Sequence, residues 1–180
     1  MPSWRNYFKT SDDLLKSEYF LRWNNLINNS KLITIAQEKG YEILFKVHHK
    51  LYEFIDLFDK NEYITIDSDK KKYQEIFNES SLLITDYSSV FFDFSYLKKP
   101  VIYYQYAKDY HFDSDNGYFD YNTMGFGDVI KSEDELIDKI INYLEDNCQM
   151  EDKYKERVDN FFKYTDKNNC KRCYDWILNH

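Results

Sequence analysis

Apolar positions along the chain switch repeatedly between two spacings, and the switches mark out its elements. From about Ser17 to Lys39 they recur at helical intervals. Phe20, Trp23, Leu26 and Ile27 share one face, and Leu32, Ile35 and Ala36 share another after a break at Asn28–Ser30. Gly40 is placed to stop that helix. Tyr41 to Val47 is a short β-rich run that leads into His48-His49, and Leu51 to Phe58 reads as a short helix. Tyr63-Ile64-Thr65-Ile66 predicts a second strand, followed by a polar helix over Lys70–Asn78. Leu82-Leu83-Ile84-Thr85 is a continuous apolar strand of the kind buried on both faces. Asp86-Tyr87-Ser88-Ser89 then turns into a helix whose apolar face is Val90, Phe91, Phe94 and Leu97; Lys98-Lys99-Pro100 ends it, and Val101–Tyr104 forms a further strand.

Strands alternating with helices at this rhythm predict βαβ units. The fold class expected is α/β, a Rossmann-like parallel sheet with helices on both faces. Ser3-Trp4-Arg5 reads as the end of a strand whose beginning lies upstream. Ala107 to Asp128 reads as one long polar and aromatic loop, a length that in compact domains is usually functional or disordered. Helices are expected over Glu133–Asn147, Asp152–Tyr164 and Asn168–Leu178. With 180 residues and few Gly and Pro, 4 and 2, the chain is expected to form a single domain over 1–180.

Charge narrows the partners. The formal net charge is −8, from 24 basic and 32 acidic residues, which argues against non-specific nucleic-acid binding. It leaves room for a small phosphate ligand, because one helix N-terminus and a few placed cations hold a pyrophosphate even in an acidic protein. No apolar run approaches the roughly 20 residues of a membrane-spanning helix, and no signal-like segment follows Met1, so a cytoplasmic chain is expected. Cys170 and Cys173 form a lone C-x-x-C near the end of the chain. Cys148 and His180 stand at irregular spacing from it and do not complete a four-ligand zinc set, so free thiols and no metal are expected.

In open α/β sheets ligands bind at the carboxyl ends of the strands. Three segments fall there: Ser3–Arg5, His48-His49 and Asp86–Ser89. A helix N-terminus leaves backbone N–H groups unpaired and carries a partial positive charge, and the Ser88 and Ser89 hydroxyls are able to donate to phosphate oxygens beside them. The plainer alternative is an N-cap, a position that favours Ser and Asp. Asp93, one turn on, reads either as an acceptor for a ribose hydroxyl or as a first-turn acid that complements the helix dipole. His48 reads as a donor to phosphate or a proton carrier near neutral pH, against a satisfied loop histidine. Arg5 reads as a phosphate fork, against a solvated surface arginine.

Taken together, these segments resemble the CDP-glycerol glycerophosphotransferase family, enzymes that prime or polymerise teichoic acids and related capsule polymers. The resemblance is strongest over Leu82–Asp93 and continues through Lys99–Tyr104. Ser3-Trp4-Arg5 is similar to the family's "TWR" strand end, Lys46-Val47-His48 to its "HP" segment, and Tyr118–Tyr121 with Gly127 to its distal donor-site loop. The resemblance implies a GT-B-like enzyme with two Rossmann-like halves, of which this chain is the C-terminal, donor-binding half and the N-terminal half is absent. It implies attack by an acceptor hydroxyl, on a polyol-phosphate or lipid-linked acceptor, at the β-phosphorus of a CDP-alcohol with release of CMP. It also implies His48 as the catalytic residue, Arg5, Asp86, Ser88, Ser89, Asp93 and Gly127 as donor-binding residues, and no cofactor or metal. The full-length protein would sit peripherally at the inner face of the membrane. His49 stands where the family usually has Pro; Asp115-Asn116-Gly117 stands where a basic residue is common, and Asp128 follows Gly127 in place of Pro. These changes point to CDP-ribitol as an alternative donor. Two rival readings are a GT-B glycosyltransferase using a UDP- or CMP-sugar and a non-catalytic nucleotide-binding domain.

Overall fold

The computed structural model describes residues 1–67, 71–106 and 118–180. Among the described residues five strands form, all paired in parallel: β1 (Ile43–Lys46), β2 (Ile64–Asp67), β3 (Leu83–Thr85), β4 (Val101–Tyr104) and β5 (Gly127–Ile130). β1 pairs with β2, and β3, β4 and β5 lie in that order in a second ladder. The α/β class and the parallel sheet expected from the alternating pattern are therefore present.

The helices are α1 (Ser11–Leu15), α2 (Glu18–Ile27), α3 (Ser30–Lys39), α4 (Tyr73–Glu79), α5 (Val90–Tyr96), α6 (Glu133–Glu145), α7 (Asp152–Phe161) and α8 (Asn169–Asn179). The expected break between α2 and α3 has a local cause. Asn29 leaves helical geometry, and its side-chain oxygen accepts from the backbone N–H groups of Lys31 and Leu32, so it starts a new helix. Gly40 stops that helix in the left-handed region at φ 73°, where a side chain would be strained.

Three elements differ from the sequence expectation. The segment read as an α-helix from Leu51 is a 3₁₀ helix over His49–Leu57. Its apolar residues fall as Leu51-Tyr52, Phe54-Ile55 and Leu57-Phe58, a repeat of three, which suits 3.0 residues per turn. The short α1 had no counterpart in the reading. The long loop expected to run to Asp128 ends sooner, because Gly127–Ile130 is β5; residues 107–117 lie outside the described residues, and so does the start of the helix placed at Lys70.

β4 shows how the sheet divides the core. All four of its residues are buried; Ile102 and Tyr104 join one cluster with Trp23, Phe45 and Leu136, while Val101 and Tyr103 join another with Phe91, Phe94 and Phe126. Alternation across a strand sends successive side chains to opposite faces, so helices cover both sides. Inside the second cluster, Gly127 lies against β4 so closely that a Cβ would stand 1.8 Å from the Val101 carbonyl oxygen.

Candidate functional site

The carboxyl edge of the sheet gathers three loops that are far apart in sequence. The carboxylate of Asp86, directly after β3, is fully buried. It accepts from the Ser3 backbone N–H at 2.8 Å, the Ser3 hydroxyl at 2.5 Å, the Arg5 guanidinium at 2.9 Å and the Tyr87 N–H at 2.7 Å. Arg5 also donates to the Ser3 carbonyl at 3.1 Å and lies over the rings of Tyr19 and Tyr87. Gln105, just after β4, donates to the Asp86 carbonyl at 3.2 Å, and the Tyr121 hydroxyl reaches the Tyr87 carbonyl at 3.4 Å.

Trp4, between the two residues that hold Asp86, engages the loop after β1 instead. Its ring stacks with His48 at 6.2 Å, and the Lys50 ammonium lies 3.9 Å from its centroid. His48 is half-buried and caps the 3₁₀ helix: its Nδ1 accepts from the Lys50 N–H at 3.3 Å. An acceptor Nδ1 leaves the proton of the neutral imidazole on Nε2. Burial, then the neighbouring His49 and Lys50, push the His48 pKa below the ordinary 6.5, so the ring is neutral at pH 7.

Behind this edge Lys46 and Asp67 pair at 2.6 Å, both buried, at matching positions at the ends of β1 and β2. Burial opposes the Lys46 charge, but the hydrogen bond that its ammonium donates to Asp67 leads the contributions that carry its pKa above the usual value. Lys46, Asp67, Trp4 and Lys50 were not singled out as site residues in the sequence. The signal that was available is positional: Lys46 and Asp67 end parallel strands, where binding edges form.

The expected site residues divide into groups. His48, Ser3–Arg5 and the Asp86–Ser89 turn share one edge. Ser89 is exposed at the start of α5 and makes no side-chain cap hydrogen bond, so the capping alternative is not what its hydroxyl does. Asp93 is exposed in the first turn of α5. Arg5 is 4% exposed, and its guanidinium donates to Asp86 and to the Ser3 carbonyl. Asp86 likewise supports the edge from within. Gly127 is paired with Val101 at the amino end of the ladder, opposite to Thr85 and Asp86, and serves close packing there.

Asp128 also loses the significance that its sequence position suggested. Its carboxylate meets the Lys139 ammonium at 2.6 Å, Lys153 at 3.4 Å and the Tyr154 hydroxyl. Burial alone would raise its pKa, yet Lys139 and Tyr154 bring it below the usual carboxylate range. Its charge is matched locally, on the side of α6 and α7. Asp115, Asn116 and Gly117 lie outside the described residues. Cys170 and Cys173 are free and exposed, Cys148 is free and buried, and among the described residues no group of three or more His, Cys, Asp or Glu side chains is placed to hold a metal ion.

Residues 1–179 match the family model described as CDP-Glycerol:Poly(glycerophosphate) glycerophosphotransferase. The chain belongs to that family. Among its relatives, the minor teichoic acid biosynthesis protein GgaB of Bacillus subtilis (strain 168) is 48% identical over 99% of this chain and 21% of its own length. A teichoic acid poly(glycerol phosphate) polymerase of Bacillus spizizenii is 34% identical over 59% of this chain and 28% of its own. The wall teichoic acid polymerase TagF, in a structure soaked with CDPG, superposes with a TM-score of 0.61 and 26% identity over 99% of this chain and 40% of that one. This glycerophosphotransferase-family chain thus spans about a fifth to two fifths of the relatives it matches. The GT-B-like half-fold expected from its sequence is the one shared with TagF.

Proposed function

We propose that this chain is the donor-binding part of a CDP-alcohol phosphotransferase, with CDP-glycerol the preferred donor, that extends a teichoic-acid-type polymer and releases CMP. The observation that carries the reading is the match of residues 1–179 to the glycerophosphotransferase family. The CDPG used with the TagF structure and the poly(glycerol phosphate) named for the Bacillus spizizenii relative support a glycerol donor.

In this reading an acceptor hydroxyl, on a polyol-phosphate or lipid-linked chain, attacks the β-phosphorus of the donor. A new phosphate ester forms, the bond from that phosphorus to the bridging oxygen breaks, and the electron pair leaves on CMP. His48 is suited to one end of that event. With Nδ1 committed to the Lys50 N–H, its Nε2–H donates toward the departing phosphate and stabilises the charge that develops there. The acceptor's proton then needs a base from outside this chain, in the remainder of the longer enzyme. Ser88 and Ser89 donate to the diphosphate, Asp93 accepts from ribose, and no metal or cofactor is needed. Among the described residues no helix is long and apolar enough to cross a membrane, and residence at the inner membrane face is assigned to the rest of the protein.

The test is a calorimetric titration of the chain with CDP-glycerol, CDP-ribitol, UDP and a CMP-sugar, paired with turnover of the full-length enzyme. CDP-glycerol should bind tightest. His48→Ala should lower turnover by about 10²–10⁴-fold, with Ser89→Ala also lowering it strongly, while both variants stay folded. Preference for UDP, or near-normal turnover in both variants, would refute the assignment.

A further inference from the structure

The C-x-x-C of the sequence has no part in the chemistry proposed above. Cys170 and Cys173 both fall in α8, a helix of 11 residues, and both are free and exposed. Residues three apart on a helix stand on one side of it. At 3.6 residues per turn and a rise of 1.5 Å per residue, their Cα atoms are about 5 Å apart, inside the range that a disulfide spans. The helix therefore holds the two thiols at bridging separation, where a small reagent reaches both. Cys148 is the contrasting case. It lies in the core with Trp23 and Ile140, and burial pushes its thiol pKa up.

α8 buries none of its side chains. Its first turn is anchored by Arg172, which donates to Asp166 at 2.9 and 3.1 Å and to Asn169 at 2.6 Å, and lies 3.9 Å from the centroid of the Tyr164 ring. Past Cys173, side-chain hydrogen bonds among the described residues stay within the helix: Lys171 with Asp175, Asn179 with Asp175 and His180 with Trp176. A helix of this length without tertiary burial is marginal in water.

We infer that Cys170 and Cys173 form a reversible dithiol–disulfide site, oxidised by a low-molecular-weight disulfide, and that the bridge holds α8 in its helical form. One protein thiolate attacks the reagent, whose S–S bond breaks; a mixed disulfide forms and one small thiolate leaves. The second protein thiolate attacks that mixed disulfide, the internal S–S bond forms, and the second small thiolate leaves. Two protein thiols are oxidised by two electrons, and their two protons end on the two released thiols. In a reducing compartment the dithiol is the resting form and the bridge is transient. Closing so short a loop restricts the unfolded segment, which favours the helix. By reciprocity the helix favours the bridge by the same factor. The inference rests on α8 and is independent of the donor chemistry.

The experiment equilibrates the chain with mixtures of reduced and oxidised glutathione, traps free thiols by alkylation and maps the products by mass spectrometry. An internal Cys170–Cys173 bridge should accumulate, with Cys148 alkylated only after denaturation. Cys170→Ser and Cys173→Ser should each stop at the glutathione adduct. Oxidation should slow amide exchange over Tyr174–Leu178 by about tenfold or more. Asp175→Pro, which breaks α8 and leaves the core alone, should lower the equilibrium constant for bridging by a similar factor. Glutathione adducts on both cysteines of the unaltered chain, or cross-linked dimers in place of the internal bridge, would overturn the site. Exchange unaffected by oxidation, or bridging unaffected by Asp175→Pro, would overturn its coupling to the helix.

Discussion

Trp4 holds His48 in a stacked arrangement, with ring centroids 6.2 Å apart and planes inclined by 27°. The indole packs beside the imidazole, while Ser3 and Arg5 on either side of Trp4 grip Asp86. One short segment therefore positions two loops of the candidate site.

The first consequence is a titration. The folded-state pKa of His48 lies below 6.5, so the neutral ring is favoured by folding, and the associated stability is lost as pH falls from the unfolded value toward the folded one. NMR titration should place its midpoint below the ordinary 6.5 of a histidine side chain. Trp4→Ala should move it upward by restoring hydration, and Trp4→Phe should largely preserve it. A midpoint unaffected by Trp4→Ala would remove the stacking from this account.

Asp86→Asn leaves Arg5 buried beside a neutral partner and should cost about 3–5 kcal/mol in urea denaturation, as broken buried pairs do. Arg5→Met should cost a similar amount alone. Combined with Asp86→Asn, it should cost clearly less than the two losses added together, since the second change removes a charge already stranded. Simple additivity would show that the 2.9 Å pair contributes little.

Gly127→Ala is expected to destabilise the fold by about 2 kcal/mol or more, because β4 or β5 must shift to admit a methyl group. The affinity of the folded fraction for CDP-glycerol should be unchanged, since Gly127 lies at the far end of the ladder. Weakened binding with unchanged stability would return this glycine to the donor site.

The Met1 amine, which donates to the Ile84 carbonyl, predicts a pH dependence of the same origin as that of His48: a base held neutral by burial. Between pH 5 and pH 8 the unfolded chain binds a proton that the folded chain releases, so stability should rise with pH across that window. The full difference corresponds to about 4 kcal/mol. Acetylating the amine should flatten this part of the profile in chemical denaturation at several pH values.

Much of the architecture was legible because the pattern was local. The apolar runs at residues 43–46, 64–66, 83–85 and 101–104, and the serine and asparagine starts of α2 and α3, act through near neighbours. β5 was not legible: Gly127-Asp128-Val129-Ile130 has weak strand character, and its place is set by β4 and by the lysines around Asp128. The edge itself was found by position, but the direction of its charges was not. Nothing near Arg5 in sequence announces that its partner lies 81 residues away. The pairing of Lys46 with Asp67 went unnoticed for the same reason, since it requires the register of β1 on β2.

The alternation of Ser3, Trp4 and Arg5 carries a final implication for how this protein tolerates change. Side chains on an extended segment face opposite ways in turn, so a slip by a single residue would present the indole to the Asp86 carboxylate and the guanidinium to the imidazole. Both meetings are unfavourable, and the acid would be left without its cation. Deleting or inserting one residue ahead of Phe8 should therefore harm the protein more than replacing several side chains there. The length of this stretch is thus under as tight a constraint as its side chains.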